Sequence, residues 1–338
     1  MHVHNKNLII PKNIKRVIIT FGTKCNLHCT YCHQTFKDIS FNKDILQWLK
    51  ELPSLSKIKF SGGEPLLYKK EIDSVLSCMK DRQIKYTMMT NGTLLNDNNI
   101  EWLNKRPIHI GISYDGNNNL RNAVIDFSKV KQLKKFSGIA TVFTSHLSLK
   151  SYYDDITYII NKYGFEDKYK TILSVPLFVH QTINKPNNNL IKDNTLNDYL
   201  MFIKLSLDNE FEICKNKNIS PLDMPFIYAF HRAITKIKKI KSSWGVKCCN
   251  EYNIQLLANG DFMLCGYGTT KVGDIYSGID TEKVESFIPE KCKQCSLWNI
   301  CRNPCVLNVT DNECKIVKEV YPFFIDKLRS IDHATACL

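Results

Sequence analysis

The chain has 338 residues, of which 43% are hydrophobic and 23% are charged, a composition typical of a globular protein with room for a large α/β domain and a smaller one. It has no uncharged apolar run of about 18 residues and no apolar signal segment near its start, so we predict a cytoplasmic protein with no membrane partner. The net charge of +13 favours acidic partners.

The basic residues are spread along the chain, often beside asparagines, as at 185–189 and 215–218. No motif that combines aromatic and basic residues accompanies them, as RNA-binding folds would require. A solvated basic surface therefore ranks ahead of a nucleic-acid groove, although composition leaves nucleic acid open.

Short apolar runs alternate with amphipathic segments through the first half of the chain. Such alternation predicts a parallel sheet with helical crossovers, and six strands are too few to close an eight-stranded barrel. We therefore expect an α/β fold with an open, partial (β/α)6 barrel of the TIM type. The predicted strands are 16–21, 57–60, 86–90, 109–114, 139–144 and 171–179, and the predicted helices are 44–52, 71–79, 96–103, 120–133 and 152–163.

Composition divides the chain into three predicted parts. The barrel takes residues 14–183. A connecting region, 184–243, starts with an Asn-rich stretch and continues with helical patterns at 197–213 and 224–240. The last part, 244–338, is a small cysteine-rich domain with short strands.

Three of the fourteen cysteines, Cys25, Cys29 and Cys32, directly follow the first strand. Catalytic groups of such barrels collect at the carboxyl ends of the strands. Three adjacent thiolates can hold an iron–sulfur cluster and leave one iron open to a ligand. The alternative is a structural zinc knuckle completed by His28 or His33, although zinc sites favour paired ligands.

Small and polar residues end the next strands. Gly62, Gly63, Glu64 and Pro65 follow the second strand, and paired glycines let a backbone approach a ligand closely. Further polar residues stand at the ends of strands three, four and five. Ordinary turn chemistry is the alternative for them. They are Asn91, Ser113, Asp115 and Thr144.

The cysteine spacing with Tyr31 before its last member, together with the Gly-Gly-Glu-Pro element, resembles the radical S-adenosylmethionine (SAM) superfamily over roughly residues 14–180. The resemblance implies a [4Fe–4S] cluster on Cys25, Cys29 and Cys32 that cleaves SAM to a 5′-deoxyadenosyl radical, which takes a hydrogen from the substrate. It further implies SAM contacts from the cysteine loop, from backbone carbonyls of the glycine loop and from polar strand ends. These are Tyr31, Gly62, Gly63, Glu64, Pro65, Ser113, Asn91, Asp115 and Thr144.

The C-terminal cysteines have a spacing of their own. Cys249 precedes a hairpin with an Asn-Gly turn at 258–265 that ends at Cys265, and Cys292-x2-Cys295-x5-Cys301-x3-Cys305 follows. A zinc ribbon is one interpretation. Behind a radical SAM core, the pattern resembles the SPASM domain, which holds two auxiliary [4Fe–4S] clusters.

That resemblance assigns ligands residue by residue. The first auxiliary cluster would use Cys249 or Cys248, with Cys265 and Cys305. The second would use Cys292, Cys295, Cys301 and Cys314. Cys314 follows Cys305 more closely than the family pattern has it, and Cys337 follows much later, so the last ligand stays open between these two.

The resemblance implies an enzyme of the oxidoreductase type that matures a peptide or protein by crosslinking, thioether formation, epimerisation or oxidation. It also implies an electron donor such as flavodoxin or ferredoxin. No room precedes the first strand for a leader-recognition domain, so we expect a stand-alone protein for that task or none. The alternatives are a small-molecule radical SAM dehydrogenase, a sulfatase-maturase-like enzyme and a non-catalytic iron–sulfur or zinc protein. Gly266 stands where sulfatase maturases carry an aspartate base, so the sulfatase-maturase alternative is less favoured.

Overall fold

The computed structural model describes residues 8–32, 39–117, 121, 123–143, 149–165, 177–178, 195–224, 227, 249–265 and 270–297, with the single residues 314, 318, 322 and 326. Within these residues, no helix is long and apolar enough to cross a membrane. The predicted Thr144 contact and the cysteines at 248, 301, 305 and 337 lie outside the described residues.

Five parallel strands form the centre of the main sheet, in the order of the chain. Each pairs with its neighbour in parallel, starting from Arg16 beside Lys57, and the register shifts once, between β4 and β5. This confirms the predicted α/β fold with a parallel sheet. The strands are β1 (Arg16–Thr20), β2 (Lys57–Ser61), β3 (Lys85–Thr90), β4 (Ile108–Ser113) and β5 (Phe136–Ala140).

The chain after β5 departs from the predicted single strand at 139–144. Two short strands, β6 (Val142–Phe143) and β7 (Leu177–Phe178), pair in parallel as a separate sheet. Thr141 stands between β5 and β6, and its buried hydroxyl donates to the Tyr114 carbonyl oxygen at 2.8 Å. This hydrogen bond from Thr141 to the residue after β4 lies at the point where the predicted strand is interrupted. Most of the sixth predicted strand, 171–179, lies outside the described residues.

Helices connect the parallel strands, as the apolar spacing predicts. The prediction at 120–133 is too long, because helix begins only where the Asp126 side chain accepts a hydrogen bond from the Ser128 backbone N–H. The predicted helix at 224–240 lies mostly outside the described residues. The helices are α1 (Asp44–Glu51), α2 (Lys69–Cys78), α3 (Asp97–Asn104), α4 (Phe127–Lys131), α5 (Leu149–Tyr163) and α6 (Thr195–Lys217).

The two faces of the parallel sheet differ in polarity. Alternate residues such as Val17, Ile19 and Phe60 are fully buried in the apolar core that also includes Trp48 of α1. Successive side chains of a strand point to opposite faces, so the other face carries Lys59, Thr87 and His109. These three lie in one row across β2, β3 and β4 and are partly exposed. We call this row the inner row.

The C-terminal part extends the same sheet. β8 (Asn253–Leu257) pairs in parallel with β1, so that Thr20 lies beside Leu257. Three antiparallel strands follow outward: β9 (Asp261–Met263), β10 (Lys271–Asp274) and β11 (Gly278–Ile279). The predicted Asn-Gly turn joins β8 to β9, with Gly260 at φ +99°. Short helices follow at Thr281–Ser286 and Glu290–Lys293. Strands from both sides of residue 244, the predicted domain boundary, thus belong to one sheet. The boundary itself stays a prediction.

Candidate functional site

The loop after β1 carries the three predicted cluster ligands. Cys25, Cys29 and Cys32 are partly exposed, and the Cys32 N–H donates to the Cys29 carbonyl oxygen at 3.0 Å in a tight turn. The loop therefore gathers three thiols at the carboxyl edge of the parallel sheet.

Burial raises the pKa of the Cys25 and Cys29 thiols above the ordinary value. The nearby Arg121 guanidinium opposes this at Cys29, while the neighbouring thiolates raise it further. Repulsion among the thiolates shows that they lie within electrostatic range of one another. Bound metal cations would instead lower the pKa of these thiols, because a thiol that coordinates a metal is deprotonated.

No three His, Cys, Asp or Glu side chains in the described parts of the chain form a site for a single metal ion. A [4Fe–4S] cluster needs a different arrangement from a single metal ion, because its cysteines bind different irons of the cluster. Three thiols in one short loop fit that donor set. His33, one candidate for completing a zinc site, lies outside the described residues.

The glycine loop after β2 packs directly on the cysteine loop. The Gly63 N–H donates to the Gly22 carbonyl oxygen at 2.9 Å, and the Glu64 N–H donates to that of Lys24 at 2.8 Å. A Cβ at Gly63 would lie 2.2 Å from the Lys24 carbonyl oxygen, which no side chain tolerates. Glycine is thus required here by the close approach of two backbones.

The Glu64 side chain is fully buried and holds the glycine loop to the end of β3. Its carboxyl accepts hydrogen bonds from the Leu66 N–H at 3.1 Å, the Thr90 hydroxyl at 2.7 Å and the Asn91 N–H at 2.8 Å. Burial raises the pKa of Glu64, and these donors oppose the rise. The carboxyl is therefore engaged by protein donors, which leaves backbone atoms of this loop to face a ligand. Pro65 opens the short 3₁₀ helix that follows.

Asp115, just beyond β4, joins the cysteine loop to the sheet. One carboxylate oxygen accepts from the Tyr31 hydroxyl and from Arg121 Nε at 2.5 Å, and the other accepts from the Val142 N–H at 2.8 Å. The Arg121 guanidinium also lies 5.4 Å from the centre of the Tyr31 ring. Burial, together with the nearby Asp115 carboxylate, holds the pKa of Tyr31 above its ordinary value.

Sequence reasoning missed Arg121. It is an isolated arginine after a run of asparagines, and no motif marks it. Only the fold brings it to Asp115 and places its charge beside Cys29.

Two further predicted residues stand at strand ends. Ser113 is the last residue of β4 and lies beside Ala140 of β5. Asn91 follows β3, and its amide lies 3.8 Å from the Cys25 sulfur. The structure thus brings Tyr31, Glu64, Asn91 and Asp115 to the edge where the cysteine loop lies.

Cys249 and Cys265 are both buried and lie at one end of the β8–β9 hairpin. Met263 pairs with Gln255, so Cys265 comes level with Asn253, and Asn253 forms a bridge with Asn250 beside Cys249. Asn253 also pairs with Arg16, the first residue of β1. The pair therefore lies toward the amino end of β1, opposite to the cysteine loop.

Cys292, Cys295 and Cys314 form a second C-terminal group. Burial raises the pKa of the Cys292 thiol, and the neighbouring Cys314 and Cys295 thiolates raise it further. Three of the four thiols that are predicted to share the second auxiliary cluster thus lie near one another, with Cys314 and Cys295 both acting on Cys292.

Residues 19–136 match the family model of the radical SAM superfamily. The match identifies a radical SAM segment within the chain. It covers the end of β1, the cysteine loop, the glycine loop and strands β2 to β4, and so confirms the family resemblance. The family implies a [4Fe–4S] cluster and SAM, which together supply a low-potential electron and a carbon-centred radical when bound. The thiols of the cysteine loop would hold the cluster.

Curated relatives match about a quarter to a third of this chain, which spans less than half of their own length. The uncharacterized protein MJ0907 of Methanocaldococcus jannaschii is 35% identical over 112 residues, 30% of this chain and 39% of its own. A probable GTP 3′,8-cyclase from the same organism is 36% identical over 94 residues, 25% of this chain and 30% of its own. Fe-coproporphyrin III synthase of Methanosarcina barkeri is 29% identical over 118 residues, 32% of this chain and 29% of its own.

Solved structures share the fold over most of the chain. anSMEcpe with bound AdoMet and the Cp18Cys peptide superposes with a TM-score of 0.65 at 19% identity, covering 94% of this chain and 99% of the other. SuiB of Streptococcus suis, bound to its precursor peptide SuiA, gives a TM-score of 0.56 at 16% identity, covering 89% of this chain and 74% of the other. The common architecture therefore includes the C-terminal part.

Proposed function

We propose that this radical SAM enzyme matures a peptide or protein, forming a crosslink, a thioether, an epimer or an oxidised residue. The supporting observation is the extent of the shared architecture. Two structures that contain peptides, anSMEcpe and SuiB, share the fold over 94% and 89% of this chain.

The curated relatives support the chemistry but not a substrate. A cyclase named for GTP and a synthase named for a porphyrin both match about a quarter to a third of the chain. A similarity over so small a share of the chain is compatible with several substrates. A small-molecule substrate is therefore the second candidate.

The inner face of the barrel suits a polar substrate. The inner row of Lys59, Thr87 and His109 lies on the sheet face away from the helices, one level below Ser61 at the carboxyl edge. A substrate that enters from this edge meets the cofactors first and the inner row beneath them. The lysine, with the net charge of +13, favours an acidic peptide through attraction that salt weakens.

The C-terminal cysteines are proposed as ligands of two auxiliary [4Fe–4S] clusters. β1 has five residues, and at about 3.3 Å per residue its two ends lie roughly 13 Å apart. A cluster at Cys249 and Cys265 would thus lie below the inner row, on the far side from the cysteine loop. That position suits a group that accepts an electron from an oxidised substrate. Cys301 and Cys305 complete the proposed sets, with Cys248 as the alternative to Cys249 and with Cys314 or Cys337 as the last ligand.

The proposed partners follow from this chemistry. The clusters need a low-potential donor such as flavodoxin or ferredoxin, and a stand-alone protein would present the leader of the peptide. A reducing cytoplasm would keep the cysteines available as cluster ligands.

The test is substrate-dependent turnover of the anaerobically reconstituted enzyme with dithionite and SAM. Short acidic peptides encoded beside the gene, GTP and an iron porphyrin are supplied separately, and 5′-deoxyadenosine and product mass are followed. We expect a peptide to be modified in proportion to 5′-deoxyadenosine, with binding that weakens as salt rises. Modification of GTP or the porphyrin, with every peptide unchanged, would overturn the proposal, as would tight salt-sensitive binding to unrelated RNA without any peptide product.

A further inference from the structure

The side chain of Asn91 is buried at the end of β3, directly beside the first cysteine of the loop. Its amide nitrogen Nδ2 lies 3.8 Å from the Cys25 sulfur and 3.0 Å from Asn26 Oδ1. Its oxygen Oδ1 lies 2.9 Å from the Thr93 backbone nitrogen and 2.7 Å from the Thr93 hydroxyl.

These contacts fix which end of the amide faces the sulfur. The Thr93 backbone N–H can only donate, so the Asn91 atom that faces it must be the acceptor Oδ1. The N–H donors are then directed at Cys25 and Asn26. The orientation follows from the network rather than from the near-identical shapes of oxygen and nitrogen.

The surrounding side chains hold the amide in place. Asn26 Nδ2 donates to the Thr93 hydroxyl at 2.7 Å, which closes a ring of Asn91, Asn26 and Thr93. Both donors and both acceptor sites of the Asn91 amide are thereby used within the protein. The Cys25 sulfur accepts a second hydrogen bond, from the Leu27 N–H at 3.4 Å.

We propose that Asn91 is a positioning residue for the cluster: it holds the Cys25 ligand by an N–H···S hydrogen bond and raises the reduction potential of the cluster. Reduction adds one electron, and hydrogen bonds to the ligand sulfurs stabilise the more negative state, which makes them one of the controls on cluster potential. This role replaces the SAM contact that the family resemblance implies for Asn91. It rests on the cluster being bound by Cys25 and does not depend on the peptide substrate.

Two Asn91 variants and one matched control test the role without any substrate. Asn91→Asp retains the oxygen that accepts from Thr93 but loses the donors, and Asn91→Ala removes the amide without adding charge. Thr93→Val breaks the same ring of side chains yet leaves the Asn91 amide beside the sulfur. Each protein is reconstituted anaerobically, its iron is counted, and its cluster is titrated by electron paramagnetic resonance at stepped potentials. SAM affinity is measured in parallel.

We expect both Asn91 variants to shift the reduction equilibrium about tenfold toward the oxidised cluster, which corresponds to a midpoint lower by about 59 mV for one electron. The Thr93→Val midpoint should stay at the parent value, and the SAM affinity of Asn91→Ala should change less than about twofold. If Asn91→Ala fails to retain its cluster, Asn91→Leu, which has a similar size and neither donors nor charge, is titrated in its place. Parent midpoints with weakened SAM binding would establish a SAM contact and overturn the proposal. An equal fall in Thr93→Val would also overturn it, since loop loosening would then be the cause.

Discussion

At the scale of single residues, the site is organised by two buried carboxylates, each satisfied by donors from more than one segment of the chain. Glu64 ties the glycine loop to β3, and Asp115 ties the cysteine loop to β4 and β6. Neither role could be read from the sequence, which identifies both residues only as members of motifs. Which donors reach a carboxylate depends on side chains far apart in the chain, such as Tyr31 and Arg121.

The cysteine loop offers the most direct residue-scale prediction. Cys29→Ala should abolish formation of 5′-deoxyadenosine from SAM, because the loop then keeps only Cys25 and Cys32 and has no further cysteine to replace the lost ligand. Cys78→Ala is the matched control: Cys78 is also partly exposed, but its thiol contacts the Leu46 carbonyl oxygen on the helical side of the sheet. Quantifying 5′-deoxyadenosine by chromatography checks both. A Cys29→Ala protein that cleaves SAM at the parent rate would contradict the cluster assignment.

The Asp115–Arg121 ion pair gives a prediction about stability. Asp115→Asn leaves a buried guanidinium without its counter-charge, which typically costs about 3–5 kcal/mol. The double variant Asp115→Asn/Arg121→Met removes that charge and should recover part of the loss. Urea unfolding of the anaerobic proteins measures both. If the double variant is less stable than Asp115→Asn alone, the unpaired charge is not the cause.

Glu64 predicts a pH dependence of stability. Because burial holds its pKa above the ordinary value of 4.5, the folded protein binds this proton more tightly than the unfolded chain. The resulting stabilisation is complete below pH 4.5 and is lost as pH rises through the raised pKa. Glu64→Gln should remove this slope and cost about 1–3 kcal/mol, since its amide N–H₂ would face backbone donors. Unfolding measured between pH 4 and pH 8 checks this, and an unchanged slope in Glu64→Gln would contradict it.

At the scale of elements, the sequence predicts strands and helices well where apolar periodicity is strong, and it fails where polar side chains decide. β1 to β4 and α1 to α3 begin and end within two residues of the predicted bounds. The helix predicted at 120–133 is shortened because the Asp126 cap starts it late. The pairing of β8 with β1 joins residues more than two hundred positions apart, and no local pattern encodes such a partner.

The contact between the glycine and cysteine loops is testable at this scale. Gly63→Ala places a Cβ against the Lys24 carbonyl oxygen, so the loops must separate, and we expect loss of both iron and SAM cleavage. Gly164→Ala is the matched control, since Gly164 ends α5 at φ +61° far from the site. It should cost about 1 kcal/mol of stability from its left-handed backbone while iron content stays at the parent level. Equal iron content in both variants would contradict the loop contact.

At the scale of the whole molecule, one sheet connects the cofactor loops to the C-terminal cysteines. Because β8 runs parallel to β1, its turn lies at the same edge as the cysteine loop, whereas Cys249 and Cys265 lie toward the opposite end. The sequence predicts both groups of cysteines and the hairpin between Cys249 and Cys265. Their separation along β1 follows only from the strand pairing.

That separation makes the two ends of the sheet separately testable. With three [4Fe–4S] clusters, the reconstituted parent should contain about twelve irons. Cys265→Ala should lose about four of them, while substrate-free cleavage of SAM persists, because the cysteine loop lies at the other end of β1. Iron counting with Mössbauer spectroscopy and 5′-deoxyadenosine assays measures these quantities on the same samples. Zinc in place of eight of the irons would restore the zinc-ribbon interpretation of the C-terminal part. If Cys265→Ala instead abolished SAM cleavage while its iron content stayed at the parent level, the proposed independence of the two groups of cysteines would be contradicted.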